Sequence, residues 1–228
     1  MKIFYRLLIL LLFASGSSVW IGAAEQEKPN ILFIFADDWG WGDLSCHGHP
    51  YVKTPNIDRL AAEGTDFHRF TVASGVCSPS RAAVMTGHFP ARYNIDGHFA
   101  WVPSNAKRGM PDWLDPEAPL LSRMLQGGGY RTAHFGKWHL ANNMIPDSPV
   151  PGIYGYDEYG AFNCAGEQMP VHEDSEHTNA FIEKSVAEGK PFFINLWIHE
   201  PHTPFHTVPK YEWRFRDMED PKDAIYAS

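Results

Sequence analysis

Asn30-Ile31-Leu32-Phe33-Ile34-Phe35-Ala36, followed at once by Asp37-Asp38, is the stretch from which the fold can be read. Its apolar run is continuous rather than alternating, which predicts a strand buried on both faces, as in a parallel sheet. The same signature returns at Pro191 to Ile198, and Tyr130 to Phe135, after a glycine stop, reads as another strand. Phe67 to Val72 reads as a further short strand. Helical patterns lie between them. Thr54 to Gly64 has an N-cap threonine, proline at the first helical position and a glycine stop. Pro119 to Gln126 ends in Gly127-Gly128-Gly129, and Glu176 to Glu188 carries a mixed apolar face of Ala180, Ile182, Val186 and Ala187. Strands alternating with helices predict an α/β fold, a doubly wound and mostly parallel sheet flanked by helices. Pro103 to Pro116 and Ile145 to Met169, rich in Pro, Gly and aromatic residues, read as surface insertions shaping a cleft.

In such a sheet, ligands sit beyond the carboxyl ends of the strands. The first strand ends at Asp37-Asp38 and the second runs into Ser74-Gly75-Val76-Cys77. The third ends at Gly136-Lys137-Trp138-His139 and the fourth at His199-Glu200-Pro201-His202. Each cluster has a plain alternative. Asp37-Asp38 suits an Asx turn, Lys137 a solvated surface charge, and His139 and His202 packed histidines. Two adjacent unpaired carboxylates repel, so a hard divalent cation is their natural neutraliser. His47, His49, His88, His98, His134 and His199 receive no role.

Met1 to about Ala24 has the form of a secretory signal: Lys2 and Arg6, then Leu7 to Phe13, then Gly22-Ala23-Ala24. The uninterrupted apolar run is well short of the roughly 20 residues that cross a bilayer, so a cleaved leader is expected rather than a membrane anchor. The absence of any Asn-x-Ser/Thr sequon leans toward a bacterial periplasm or exterior. Three cysteines, Cys46, Cys77 and Cys164, make no disulfide scaffold. A net charge of −8 argues against nucleic acid as a partner. An anionic substrate must then be held by a few local cations or a metal.

Cys77-Ser78-Pro79-Ser80-Arg81, closed by Thr86-Gly87, concentrates the chemistry. Pro79 suits a first helical position, which sets Cys77 at a helix mouth where negative charge is favoured. A thiol there is expected to have a depressed pKa. A partly buried cysteine at an ordinary helix start is the bland alternative.

The whole string resembles the signature of the type I sulfatases, of the alkaline phosphatase superfamily, in which this cysteine becomes formylglycine after synthesis. Asp37-Asp38 resembles that family's first metal pair, and Gly136-Lys137-Trp138-His139-Leu140 is similar to its lysine–histidine segment. His202, in Pro201-His202-Thr203-Pro204, matches the histidine near the leaving group. The resemblance runs from about Lys28 to Pro204. The family's second metal pair and a further lysine do not occur before Ser228, so 25–228 is expected to be the N-terminal part of a sulfatase catalytic domain.

The resemblance implies a sulfuric ester hydrolase acting on a sulfated small molecule or glycan, matured by a formylglycine-generating enzyme. Its implied catalytic residues are Cys77, Arg81, Lys137, His139 and His202. Its implied ion is held by Asp37, Asp38 and the converted Cys77, and oxygen donors favour calcium. The sulfur of a sulfate ester is ringed by anionic oxygens and its leaving alkoxide is poor. Neutralised oxygens, a strong nucleophile and a proton for the leaving oxygen are what the reaction needs. Lys137 and the cation would neutralise, the hydrated aldehyde at position 77, steadied by Arg81, would attack, and His202 would protonate. His139 would then help the residue expel sulfate. Two rivals stand beside this: a phosphonate or phosphate monoester hydrolase of the same superfamily, and an inactive domain that binds sulfated glycans. Trp101, Trp113, Tyr154, Tyr156 and Tyr159 suit stacking on a sugar or packing in a core.

Overall fold

The computed structural model describes residues 28–165, 168–170, 173–203 and 213–227. The leader expected at 1–24 lies outside the described residues. Four strands form one sheet: β1 (Ile31–Ile34), β2 (Arg131–Lys137), β3 (Glu158–Phe162) and β4 (Phe192–Trp197). Their spatial order is β1-β4-β2-β3 and every pairing is parallel. The helices are α1 (Pro55–Glu63), α2 (Cys77–Thr86), α3 (Val102–Lys107), α4 (Leu121–Gly127), α5 (Asp174–Ala187) and α6 (Pro221–Ala227). The parallel α/β architecture expected from the sequence is the one found.

Side chains alternate across a strand, and β4 uses both faces. Phe192, Ile194 and Leu196 pack with Ala133, Phe135 and Phe181 of α5. Phe193 and Trp197 face the other way, into a core with Ala82 and Met85 of α2 and with Trp138 and Tyr154. Helices therefore cover both faces of the two central strands, which is why β4 is apolar almost throughout, without alternation. The buried face of α5 is Asp174, Thr178, Phe181 and Ser185. Val186, expected on that face, is exposed because the i, i+4, i+7 row through Phe181 is the one turned to the sheet.

Three expectations are corrected. β1 is an edge strand, and Leu32 and Ile34 stay 42% and 54% exposed, because nothing among the described residues covers that side. Phe67 to Val72 forms no strand; Phe67, Phe70 and Val72 are exposed and the Phe70 amide bonds the Phe67 carbonyl in a turn. β-propensity alone does not make a strand without a ladder partner. The two supposed surface insertions are largely structure. The first contains α3. The second contains β3 and buries Tyr154 and Tyr156 in the core. All three cysteines are free, with Cys46 exposed and Cys164 buried.

Gly136, in β2, has φ of 100°, and a Cβ there would lie 2.2 Å from the Trp197 carbonyl oxygen of β4. Both the dihedral and the space require glycine. Gly136→Ala is expected to destabilise the domain by roughly 2–5 kcal/mol, read as a lower midpoint in urea denaturation.

Candidate active site

All strands being parallel, their carboxyl ends share one edge, and three of the four expected clusters arrive there on β1, β2 and β4. The fourth, Cys77, comes from the first position of α2 instead of a strand end. Val76 is the extended N-cap, so Pro79 stands third in the helix. Proline is still tolerated there, because the first four helical amides have no intrahelical acceptor. Ser78, Ser80 and Arg81 are buried as the helix runs inward.

Asp37 is the electrostatic centre. Lys137 Nζ donates to its Oδ2, and Arg81 Nη2 lies 3.3 Å from its Oδ1. Arg81 is fully buried; its Nη1 donates to the Lys137 carbonyl at 3.0 Å. Its guanidinium stands 4.9 Å from the Trp197 ring centre and 5.6 Å from that of Phe35. Burial acts to raise the Asp37 carboxyl, but Arg81 and then Lys137 overcome it and hold the group below its usual range. Asp38 sits apart. Its φ is 59°, it is exposed, and its Oδ2 is 3.7 Å from His202 Nε2. The adjacent carboxylates are thus not a mutually repelling, unneutralised pair: one is enclosed by two cations and the other turns outward to a histidine.

The Cys77 thiol also departs from expectation. Burial pushes it up; Lys137 and Arg81 act against this, and Asp37 adds to it. The helix mouth favours the thiolate, but desolvation is larger.

His139 follows β2 with φ of 48°. Its Nε2 bonds the Phe99 carbonyl at 3.0 Å, while Nδ1 is buried without a hydrogen-bond partner among the described residues. Burial, then Lys137, lowers it to about 3, so the ring is neutral. His134 is also buried, set edge-on to Trp138 and Trp197 at 5.0 Å each and to Tyr156 at 5.4 Å, and is lowered to about 3 by burial and Arg81. Both histidines are neutral when folded and protonate near 6.5 when unfolded. Their contribution is therefore complete above pH 6.5 and lost as pH falls below it, at about 1.4 kcal/mol per pH unit for each ring. Urea midpoints at pH 7 and pH 5 should show that decline, and His134→Phe should remove about half of this histidine part of the slope.

His199 is the residue that sequence reasoning passed over. It is buried, 5.0 Å ring to ring from His202, and Asp37, His199 and His202 each bring a ligand-type atom within 4.8 Å of the others. The sole hint was its His-x-x-His spacing with His202. Asp37, Asp38 and Cys77 also line one cavity of about 370 Å³ with Arg81. The carboxylate oxygens of Asp37 and Asp38 suit a divalent cation, but they are only part of the six to eight oxygen ligands that calcium takes. Of the five candidate sugar-stacking aromatics, Tyr154 and Tyr156 are core, Trp113 packs against it, and Trp101 and Tyr159 remain exposed.

The fold thus brings two buried cations and two histidines around the Asp37 carboxylate, on one cavity with a helix-borne cysteine. The chain belongs to the sulfatase family, whose model matches residues 29–226. It is 41% identical over 210 residues to the N-acetylgalactosamine-6-sulfatase of Sus scrofa (85% of this chain, 38% of that protein). It is 28% identical over 220 residues to an ulvan-active sulfatase of Formosa agariphila (88% and 40%). The crystal structure of Ps i-CgsB in complex with k-i-k-neocarrahexaose superposes with a TM-score of 0.73 at 28% identity, covering 88% of this chain and 51% of that one. The chain thus spans about two fifths of the length of the curated relatives it matches. No helix among the described residues is long and apolar enough to cross a membrane.

Proposed function

We propose that the complete protein is an exported hydrolase of carbohydrate sulfate esters whose nucleophile is residue 77 after conversion of the cysteine to formylglycine. The observation that carries this reading is the placement of Cys77 at the start of α2, on one cavity with Asp37, Asp38 and Arg81, in a chain of the sulfatase family.

Conversion at position 77 would supply a geminal diol, one hydroxyl for attack and one for regeneration. A divalent cation, calcium by donor type, would be held by Asp37, Asp38 and residue 77 and would draw charge from the sulfate oxygens. Lys137, bonded to Asp37 here, would turn its ammonium to the sulfate. Arg81, held by Asp37, the Lys137 carbonyl and two aromatic rings, would orient residue 77. His202, partly exposed beside Asp38, would give the leaving alcohol its proton, and neutral His139 would accept one at Nδ1. The carbohydrate class is supported by the names of the relatives and by the neocarrahexaose bound to the structural neighbour.

Two measurements on the full-length protein test this. Intact mass from a host with the maturation enzyme should show the thiol at 77 replaced by an aldehyde. Turnover of 4-nitrophenyl sulfate should exceed that of 4-nitrophenyl phosphate; the reverse preference would replace the sulfatase reading with that of a phosphomonoesterase, and sugar binding with an unmodified thiol would leave only a glycan-binding domain.

A further inference from the structure

The segment from Asp96 to Trp101 is unusually well fastened for a loop. Ser78 Oγ, next to Cys77, accepts the Phe99 amide at 3.0 Å, and the Phe99 carbonyl accepts from both His139 Nε2 and Asn142 Nδ2. Asn105 closes a two-way bond with the backbone of Ala100, and Arg108 Nη2 donates to the His98 carbonyl at 2.8 Å. Gly97 leaves the space the guanidinium needs, since a Cβ there would lie 2.7 Å from Arg108 Nη1. These bonds spend the backbone and leave two side chains free to face outward. His98 is exposed, with its ring 6.2 Å from that of His139. Trp101 is 58% exposed.

A fixed backbone that sets one imidazole beside His139 and, three residues on, an exposed indole is an arrangement by which proteins hold a sugar ring. The imidazole bonds a hydroxyl and the indole offers an apolar face. Tyr159, the other exposed member of the five candidate sugar-stacking aromatics, is on β3 and lacks this tie to Ser78 and His139. His98 also feels the charges of Lys137 and His202, and burial, Arg108 and those two groups hold it below its ordinary value, so it is neutral, with one nitrogen to donate and one to accept.

We infer that His98 and Trp101 form a substrate-orienting rim, His98 bonding a hydroxyl on the alcohol side of the ester and Trp101 stacking on the sugar. The inference rests on the carbohydrate-sulfate reading above and assigns these two residues to specificity, leaving bond cleavage to the residues around Asp37.

The test uses the full-length matured protein, its His98→Ala, His98→Asn and Trp101→Ala variants, and two substrates, N-acetylgalactosamine 6-sulfate and 4-nitrophenyl sulfate. Expected is a roughly tenfold fall in the ratio of kcat/KM for the sugar sulfate to that for the aryl sulfate in each alanine variant. The fall should be carried mainly by KM, with His98→Asn recovering part of it and the thermal midpoint moving little. Calorimetric titration with N-acetylgalactosamine 6-sulfate, done in a Cys77→Ala background so that the ligand is not cleaved, should show the same weakening. A wild type that binds the sugar sulfate, with alanine variants of equal affinity, overturns the rim alone. An equal loss on both substrates also overturns it, in favour of a general structural role. A wild type that neither binds nor cleaves the sugar sulfate overturns the rim together with the carbohydrate reading.

Discussion

Cys77→Ala in the full-length protein is expected to lower kcat for sulfate esters by on the order of 10⁴-fold or more while leaving the fold intact. The scale follows from the role. On the reading proposed above, the other residues named around Asp37 neutralise, orient or move a proton, and residue 77 alone is assigned the attack. The fold should tolerate the change because Cys77 contributes little to the core. α2 is anchored by Ala82 and Met85, both fully buried, and by the Ser78 hydroxyl that accepts the Phe99 amide. Alanine is also the best residue for a helical position. Cys77→Ser should be as inactive in a host whose maturation enzyme requires the thiol, because a single hydroxyl cannot provide both attack and regeneration. The comparison needs initial rates on 4-nitrophenyl sulfate and matched circular dichroism spectra. Rates that persist in a folded alanine variant would exclude residue 77 as nucleophile.

Asp37→Ala should be the most damaging single change to stability, at about 3–5 kcal/mol, because it strands the buried Lys137 ammonium and the buried Arg81 guanidinium without their counter-charge. Asp37→Asn should recover little, since an amide can accept bonds but carries no charge. Activity should disappear with it, as both cations lose the group that places them. The pH dependence follows from the direction of the Asp37 shift. The folded carboxyl titrates below the unfolded value of 3.8, so its stabilisation is full above that value and is lost as pH falls through the lower folded one. The gap between wild type and Asp37→Ala in urea denaturation should therefore be widest near neutrality and narrow below about pH 4. A constant gap over that range would mean that Asp37 supports the fold by packing, with the ion pairs contributing little.

Local pattern carried most of the fold. The runs at 31–34 and 192–197 are strands, and the proline-led segment at 55–63 and the stretch at 121–127 are helices, because each signal is written within a few residues. The errors share a cause. Val186, Phe67 to Val72 and the buried Tyr154 and Tyr156 have locally plausible assignments whose outcome depends on which surface another element covers. The site divides in the same way. Asp37, Cys77, Arg81, Lys137, His139 and His202 could be named because strand ends of a parallel sheet collect at one edge and because the string around Cys77 is distinctive. His199 and His98 could not, since a histidine three residues before another, or alone in a loop, has no local mark of a site.

The sequence by itself determined that this chain forms a parallel α/β sheet, that its reactive edge gathers a cysteine, carboxylates, cations and histidines, and that it resembles a sulfatase. Only the tertiary structure decided the charge arrangement at that edge: Asp37 enclosed by Lys137, 100 residues away, and by Arg81, Asp38 turned toward His202, and the Cys77 thiol raised instead of lowered. The reason is physical. A strand or helix is specified by neighbours in the chain, but a charge is set by desolvation and by partners far away in sequence, and both exist only once the chain has closed around them.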